Sequence, residues 1–198
     1  MSFITSNTHY FPITGPDNTL ETMQLTRARM DQLGISTVVV ATTDGSAGVK
    51  AVSVFAGCNL VCVSHVQGFK GPDMQELTPE NRAVIQAAGI PIVTAAHAFS
   101  GVNRAIRGKF ATYEPTEIMA STLRIFGEGM KVVVEISLMA ADAGAIQAGA
   151  PVAAIAGTGH GSDTAVILQP AYSHTFFDLK VVELICMPSP VHPGIAKP

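Results

Sequence analysis

The feature that most constrains the fold is an apolar run that ends in a loop of three glycines. Val152–Ala156 is uniformly apolar, which predicts a buried strand, and Gly157, Gly159 and Gly161 alternate with polar residues behind it. Glycines let a backbone approach a ligand closely, and successive N–H groups can form a concave anion site. The alternative is a glycine-rich hairpin, because residues 164–168 have the pattern of another strand. Without a following helix, the spacing is not the dinucleotide-binding fingerprint.

The composition predicts one heavily buried domain, residues 1–198. The chain has 198 residues, of which 47% are hydrophobic and 14% charged. This length suits a single hydrophobic core. So low a charged fraction also predicts a homo-oligomer, because self-association would cover further surface. Prolines at positions 188, 190 and 193 predict an irregular tail over residues 188–198.

Charge and hydropathy argue against several classes of partner. The net charge is −3 and the basic residues do not cluster, which disfavours a nucleic-acid partner. No cationic leader and no apolar run near 18 residues is present, which predicts no membrane partner and a cytoplasmic location. Cys58, Cys62 and Cys186 lack metal-like spacing and are expected to be reduced, buried thiols. The scattered histidines predict no dedicated metal site.

Strand and helix patterns alternate along the chain, which predicts a parallel sheet with right-handed crossovers. Strands are expected over residues 9–13, 37–41, 60–64, 91–95, 152–156, 166–168 and 181–186. Helices are expected over residues 19–33, 46–55, 79–88, two pieces of 102–127, and 130–143. In the first helix, the apolar face is expected to carry Leu20, Met23, Leu25, Ala28 and Met30. The segment 130–143 is ambiguous, since three valines favour a strand and its length favours a helix; we predict a helix.

Polar, small and histidine residues follow four of the predicted strands. Ligands of open parallel sheets bind at the carboxyl ends of the strands, so these residues mark a candidate binding edge. One or two such coincidences could arise by chance, whereas four predict a site. The candidate binding residues are Thr42, Thr43, Asp44, Gly45, Ser46, Ala47, His65, Gly68, Phe69, His97, Ser100, Gly101, Gly157, Thr158, Gly159, His160, Gly161, Asp163 and Thr164.

Each candidate also has an ordinary structural explanation. The turn 43–47 leads into a helix, and the free N–H groups at the start of that helix would favour a phosphate. The alternative is that Asp44 or Ser46 only caps the helix. His65 and His97 could contact a ligand or only be solvated, and Phe69 could stack on a ring or only pack its loop. Glu135 lies in an apolar segment, so it needs a ligand, a raised pKa or an ion pair with Lys131, Arg104 or Arg107. No pattern of catalytic residues stands out.

A set of motifs in fixed order resembles a known family. They are residues 18–19 (NT), 139–146 (MAADAGAI), 157–165 (GTGHGSDTA), 176–178 (FFD) and 183–188 (ELICMP). Together they look like the small stand-alone proteins named for the pyruvate kinase α/β (C-terminal) domain, and the likeness covers residues 9–188. The resemblance implies a three-layer α/β/α sandwich whose mostly parallel sheet has an antiparallel edge strand.

The resemblance also implies a ligand, since similar stand-alone proteins hold FMN. The glycine loop or the turn 43–47 would then take the phosphate, and side chains near His65, Phe69 and His97 would surround the ribityl chain and the ring. The turn is shorter than the effector loop of full pyruvate kinases, so effector binding does not transfer. Pyruvate kinase chemistry belongs to a separate barrel domain, and phosphoryl transfer from phosphoenolpyruvate to ADP is not expected.

Three functional hypotheses follow. The first is a protein that binds FMN or a related phosphorylated ligand, of unassigned reaction, with a flavin-dependent oxidoreductase as one form. The second is a non-catalytic regulatory module that binds a phosphorylated metabolite. The third is a purely structural oligomer, which would show no stabilisation by ligands.

Overall fold

The computed structural model describes residues 3–189 and residue 191, and seven strands form its central sheet. The strands are β1 (His9–Phe11), β2 (Thr37–Ala41), β3 (Asn59–Ser64), β4 (Ile92–Thr94), β5 (Val152–Ala156), β6 (Thr164–Gln169) and β7 (Lys180–Pro188). Their order across the sheet is β1-β7-β6-β5-β2-β3-β4.

Six α-helices are described, and they cover both faces of this sheet. They are α1 (Thr19–Leu33), α2 (Ser46–Val54), α3 (Pro79–Ala87), α4 (Val102–Phe110), α5 (Pro115–Leu123) and α6 (Glu128–Asp142). Short 3₁₀ turns at residues 16–18, 124–126 and 173–178 connect some of these elements. Helix α1 ends at Gly34, which has the left-handed conformation that favours glycine (φ +67°).

The sheet is mostly parallel, as the sequence predicts. Strands β5, β2, β3 and β4 are parallel neighbours, so their carboxyl ends meet at one edge. Strand β6 is antiparallel to both β5 and β7, and β1 is parallel to β7. The α/β class and the three-layer α/β/α architecture are confirmed. The antiparallel strand lies third from one edge, because β7 and β1 add outside it.

Two apolar layers hold the helices on the sheet. On one face Met23, Met30 and Phe55, from α1 and the end of α2, pack on buried residues of the central strands. On the other face α6 is almost entirely buried, and Val133 and Val134 belong to its core. The parallel strands are therefore apolar on both faces, as their continuous runs predict. The segment expected as a helix over 130–143 is helix α6.

Other features of the described residues concern the thiols and the termini. All three cysteines are free, and Cys62 and Cys186 are buried. Pro188 ends β7, and most of the tail expected to be irregular lies outside the described residues. Within the described part of the chain, no helix has the length and apolar character needed to cross a membrane.

Candidate functional site

A cavity of about 750 Å³ lies at the carboxyl ends of the four parallel strands. The loops after β2, β3, β4 and β5 form its floor, and helices α4, α5 and α6 contribute further wall. Cofactor and small-molecule sites span roughly 300–1,000 Å³, so this cavity has the size of a ligand site. Its position is the one that parallel α/β sheets use for ligands.

Most of the candidate binding residues line this one cavity. Those in its wall are Thr42, Thr43, Asp44, Ser46, Ala47, His65, Phe69, His97, Ser100, Gly157, Gly159, His160 and Gly161. The remaining candidates, which do not line it, are Gly45, Gly68, Gly101, Thr158, Asp163 and Thr164. Thr43, His97 and Gly159 come from three different strand ends and meet at the same cleft, because those strands are parallel neighbours.

The start of α2 is capped from within the protein. Asp44 Oδ1 accepts hydrogen bonds from the Ser46 backbone N–H (2.9 Å) and from Ser46 Oγ (2.7 Å). Thr42 Oγ1 accepts from the Gly48 N–H at 3.1 Å. The hydroxyl of Ser46, followed by its amide, lowers the pKa of Asp44, so this side chain is a carboxylate at neutral pH. A carboxylate here disfavours an anion at this helix end.

The glycine loop joins β5 and β6 as a hairpin, and part of its backbone is hydrogen-bonded inside the protein. Asp163 Oδ2 accepts from the backbone N–H groups of Gly15 (3.0 Å) and Thr158 (3.2 Å). The Ser162 N–H donates to Thr19 Oγ1 at 3.0 Å. Asp163 and Thr164 are fully buried and hold the loop from beneath. The loop lines the cavity with Gly157, Gly159, His160 and Gly161.

Three rings form an aromatic cluster on one side of the cavity, made of His65, Phe69 and His97. The ring centroids lie 4.7 to 5.1 Å apart. Glu76 Oε2 lies 2.6 Å from His65 Nδ1 and fixes the orientation of that ring. The Val66 N–H donates to His97 Nε2 at 3.3 Å, so this nitrogen carries a lone pair and the ring is neutral.

Burial lowers the pKa of His97, and this predicts a pH dependence of stability. A histidine whose folded-state pKa is lowered stays neutral in the fold but takes a proton in the unfolded chain below about pH 6.5. Stability is therefore lost as the pH falls below about 6.5. We expect His97→Gln, which keeps an acceptor for the Val66 N–H, to lose less unfolding free energy than the wild type between pH 7 and pH 5. Urea titrations at both pH values test this; equal losses would contradict it.

Four basic side chains enter the cavity from the helices: Arg104 and Arg107 on α4, Arg124 after α5, and Lys131 on α6. Arg107 pairs with Glu117 (3.0 Å), Arg124 with Glu128 (2.8 Å) and Lys131 with Glu135. Among the described residues, no carboxylate pairs with Arg104, whose guanidinium lies 4.6 Å from the Phe69 ring centroid.

The sequence offers Arg104, Arg107 and Lys131 only as ion-pair partners for Glu135, and the predicted binding site holds only residues that follow strands, so these helical cations are absent from it. The spacing of Arg104 and Arg107, three apart on one helix, places them on one face and is a signal that could have identified them. Helix α4 buries none of its own residues, so its contribution to the protein is to this cavity wall rather than to the core.

Glu135 has Lys131 as its ion-pair partner, not Arg104 or Arg107. Lys131 Nζ donates to Glu135 Oε2, and the Phe99 N–H donates to Glu135 Oε1 at 3.1 Å. The two side chains stand one turn apart on α6, are buried, and line the cavity. The pair therefore places two charged groups in the cavity wall, on a helix that is otherwise mostly apolar.

No family model matches this chain. The likeness to the stand-alone pyruvate kinase α/β domain proteins therefore stays a prediction, and so does the ligand that it implies. A function for this chain has to account for the cavity, its aromatic cluster and the charged side chains in its wall.

Proposed function

We propose that the cavity binds FMN or a related phosphorylated ligand. The observation that carries this proposal is that one cavity of about 750 Å³ combines an aromatic cluster with a cation, Arg104, that no described carboxylate neutralises. An aromatic ring and a phosphate on one ligand need these two kinds of partner.

The residues present fit FMN. The aromatic cluster of His65, Phe69 and His97 offers faces and edges for the flavin ring. Thr43 and Ser100 offer hydroxyls for the ribityl chain, and Arg104 offers the charge for the phosphate. The proposal places the phosphate at Arg104 and not at the turn 43–47, because the Asp44 carboxylate would repel a phosphate at that turn. Bound FMN would supply hydride or electron transfer, and a flavin-dependent oxidoreductase is the catalytic form of this proposal.

A spectrum of the purified protein tests the proposal directly. Flavin absorbance, together with release of a compound of FMN mass on denaturation, is the expected result. If the protein is purified without flavin, added FMN should raise its melting temperature, because a ligand that binds only the folded state stabilises it. Absence of both effects, with no stabilisation by any phosphorylated compound, would contradict the proposal.

Replacing Arg104 by glutamine should weaken FMN binding by about 10- to 100-fold, the loss expected for a hydrogen bond to a charged group. The matched control is Lys109→Gln, which removes a charge from the same helix outside the cavity wall. Calorimetry with FMN and with riboflavin separates the phosphate from the ring. Arg104→Gln should lower the affinity for FMN and leave the affinity for riboflavin unchanged. Equal losses of affinity for both compounds would mean that Arg104 contacts the flavin ring and not the phosphate.

The second candidate is a non-catalytic regulatory module that binds a phosphorylated metabolite. It is favoured by helix α4, which buries no residue of its own and yet supplies two arginines to the cavity. A ligand there would fix the position of α4 and could signal through it. Colourless protein that is stabilised by sugar phosphates and not by FMN would favour this candidate over the first.

We also propose that the chain is a cytoplasmic homo-oligomer. Three free thiols suit a reducing compartment. Large apolar side chains are exposed around α4 and α5, including Val102, Phe110 and Ile118, and a second copy of the chain would cover such surface. Light scattering coupled to size exclusion tests the oligomer, and a monomer mass at micromolar concentration would contradict it.

A further inference from the structure

We propose that Lys131 is a nucleophile that forms an imine with a phosphorylated aldehyde or ketone, and that Glu135 moves the protons of this reaction. The inference deepens the proposed function by naming a substrate class. It rests on the part of that proposal in which the cavity holds a phosphorylated ligand.

Lys131 is hydrogen-bonded to a carboxylate that a backbone N–H group orients. Its Nζ donates to Glu135 Oε2, and the other oxygen of that carboxylate accepts the Phe99 N–H at 3.1 Å. In covalent catalysis the nucleophile is commonly hydrogen-bonded to a base, and a third group orients that base. Both side chains line the cavity, so a ligand there reaches the amine without any movement of α6.

The location of the pair also argues for a role beyond stability. The side chains of Lys131 and Glu135 are 9% and 6% exposed. Removing two charges from water costs about as much as their attraction returns, and apolar residues of similar size often stabilise a fold at least as well. Helix α6 already presents Ile136 and Met139 to the same cavity wall, so apolar side chains are compatible with this surface. The pair therefore gives the cavity a primary amine where packing alone does not require one.

The surroundings limit water around the amine. Lys131 Nζ lies 5.8 Å from the centroid of the Phe99 ring, which is itself buried. Imine formation releases water and is reversed by it, so a poorly hydrated amine favours the product. Lysines that form such imines are characteristically desolvated.

The proposed step balances without an oxidant or reductant. Glu135 accepts a proton from the Lys131 ammonium, and the freed lone pair attacks the carbonyl carbon of the ligand. The new C–N bond forms, and one proton passes from the attacking nitrogen to the carbonyl oxygen to give a neutral carbinolamine. Glu135 then returns its proton to that hydroxyl, which leaves as water while the nitrogen loses its remaining excess proton to solvent. Amine and carbonyl thus give imine and water.

The rest of the cavity selects the ligand class. Arg104, which no described carboxylate pairs with, suits a phosphate, and the hydroxyls of Thr43 and Ser100 suit a polar chain. A compound with a phosphate at one end and a carbonyl group further along its chain satisfies both Arg104 and Lys131. Open-chain sugar phosphates and phosphorylated aromatic aldehydes belong to this class.

Trapping with pyridoxal 5′-phosphate and sodium borohydride tests the inference without knowledge of the natural substrate. Reduction converts an imine into a stable secondary amine, and peptide mass mapping locates it. We expect Lys131 to be labelled at lower probe concentration than the exposed lysines Lys50, Lys70, Lys109 and Lys180. Pyridoxal, which lacks the phosphate, should label Lys131 at least 10-fold less efficiently.

Two variants keep the test interpretable. Lys131→Arg retains a cation for Glu135 and forms no imine, so its labelling at position 131 should vanish while the circular dichroism spectrum is kept. Glu135→Gln should slow labelling of Lys131 by about 100-fold, the lower end of the range for general acid–base catalysis. Labelling of the exposed lysines serves as the internal standard in both variants.

A buried ion pair that is only structural gives the opposite pattern. Lys131 would then be protected and the exposed lysines would react first, which would overturn the inference. If phosphorylated compounds still raise the melting temperature while Lys131 stays unlabelled, imine formation fails and the proposed ligand site stands. If no phosphorylated compound binds and Lys131 is unlabelled, both fail.

Discussion

Replacing Gly161 by alanine is expected to lower the free energy of unfolding by about 4 kcal/mol. Gly161 has a φ of +70°, a conformation that costs any residue with a Cβ atom. An added Cβ would also lie 2.4 Å from Pro16 Cα and 2.6 Å from Thr19 Oγ1. The proline contact is with backbone, so the hairpin or the start of α1 must shift to relieve it.

Gly159→Ala is the matched control, because Gly159 has a similar φ of +79° in the same loop with nothing within 4 Å of an added Cβ. Its cost should be only about 1–2 kcal/mol, the strain of the left-handed conformation. Urea denaturation followed by circular dichroism measures both. The difference between the two variants isolates the close approach of the loop to the start of α1. Equal losses would mean that this contact is not tight.

Replacing Asp163 by alanine should lower the free energy of unfolding by about 3–5 kcal/mol. Asp163 is fully buried, and its carboxylate accepts from the N–H groups of Gly15 and Thr158 and from the Thr164 hydroxyl. Alanine leaves all three donors without their acceptor, and each unsatisfied buried group costs about 1–3 kcal/mol. The carboxylate also lies near the start of α6, because an added Cβ on Gly129 would be 3.2 Å from Asp163 Oδ1.

Two further variants serve as comparisons for Asp163→Ala. Asp163→Asn keeps one oxygen acceptor and should lose less than the alanine variant. Asp178→Ala, at an exposed aspartate that ends the 3₁₀ turn 173–178, should change the free energy of unfolding by no more than about 0.5 kcal/mol. Urea titrations of all three give the comparison. A loss for Asp163→Ala as small as that of Asp178→Ala would show that the buried network carries little stability.

The order and type of most elements follow from the sequence because the patterns are strong. Continuous apolar runs predict the parallel strands, and Gly34 and Pro79 mark a helix end and a helix start where the structure has them. Residues 130–143 form a helix despite three consecutive valines, since α6 is buried against the sheet and tertiary packing outweighs β propensity. The edge of the sheet that gathers the candidate residues follows from the same pattern of parallel strands.

The buried face of α1 was predicted less well. Leu20 is 51% exposed, whereas Thr22 and Thr26 are completely buried. Thr26 Oγ1 donates to the Thr22 carbonyl at 2.7 Å, which satisfies its hydroxyl within the helix and lets it pack like an apolar residue. Hydrophobicity alone cannot signal such a face. The sequence does not place the helical cations in the cavity for a related reason, since tertiary packing of α4, α5 and α6 decides which side chains meet there.

The pairing of β1 with β7 has a consequence for how the molecule is made. His9 lies opposite Cys186 and Phe11 opposite Pro188, so the first of the described strands to be synthesised pairs with the last of them. At roughly 5–20 residues per second, a ribosome needs about 10–40 s between these two segments. Throughout that interval the amino-terminal strand has no neighbour, while β2, β3 and β4 can already assemble. The β1 border of the sheet therefore forms only after β7 has been synthesised, and until then the nascent chain exposes an unpaired strand there.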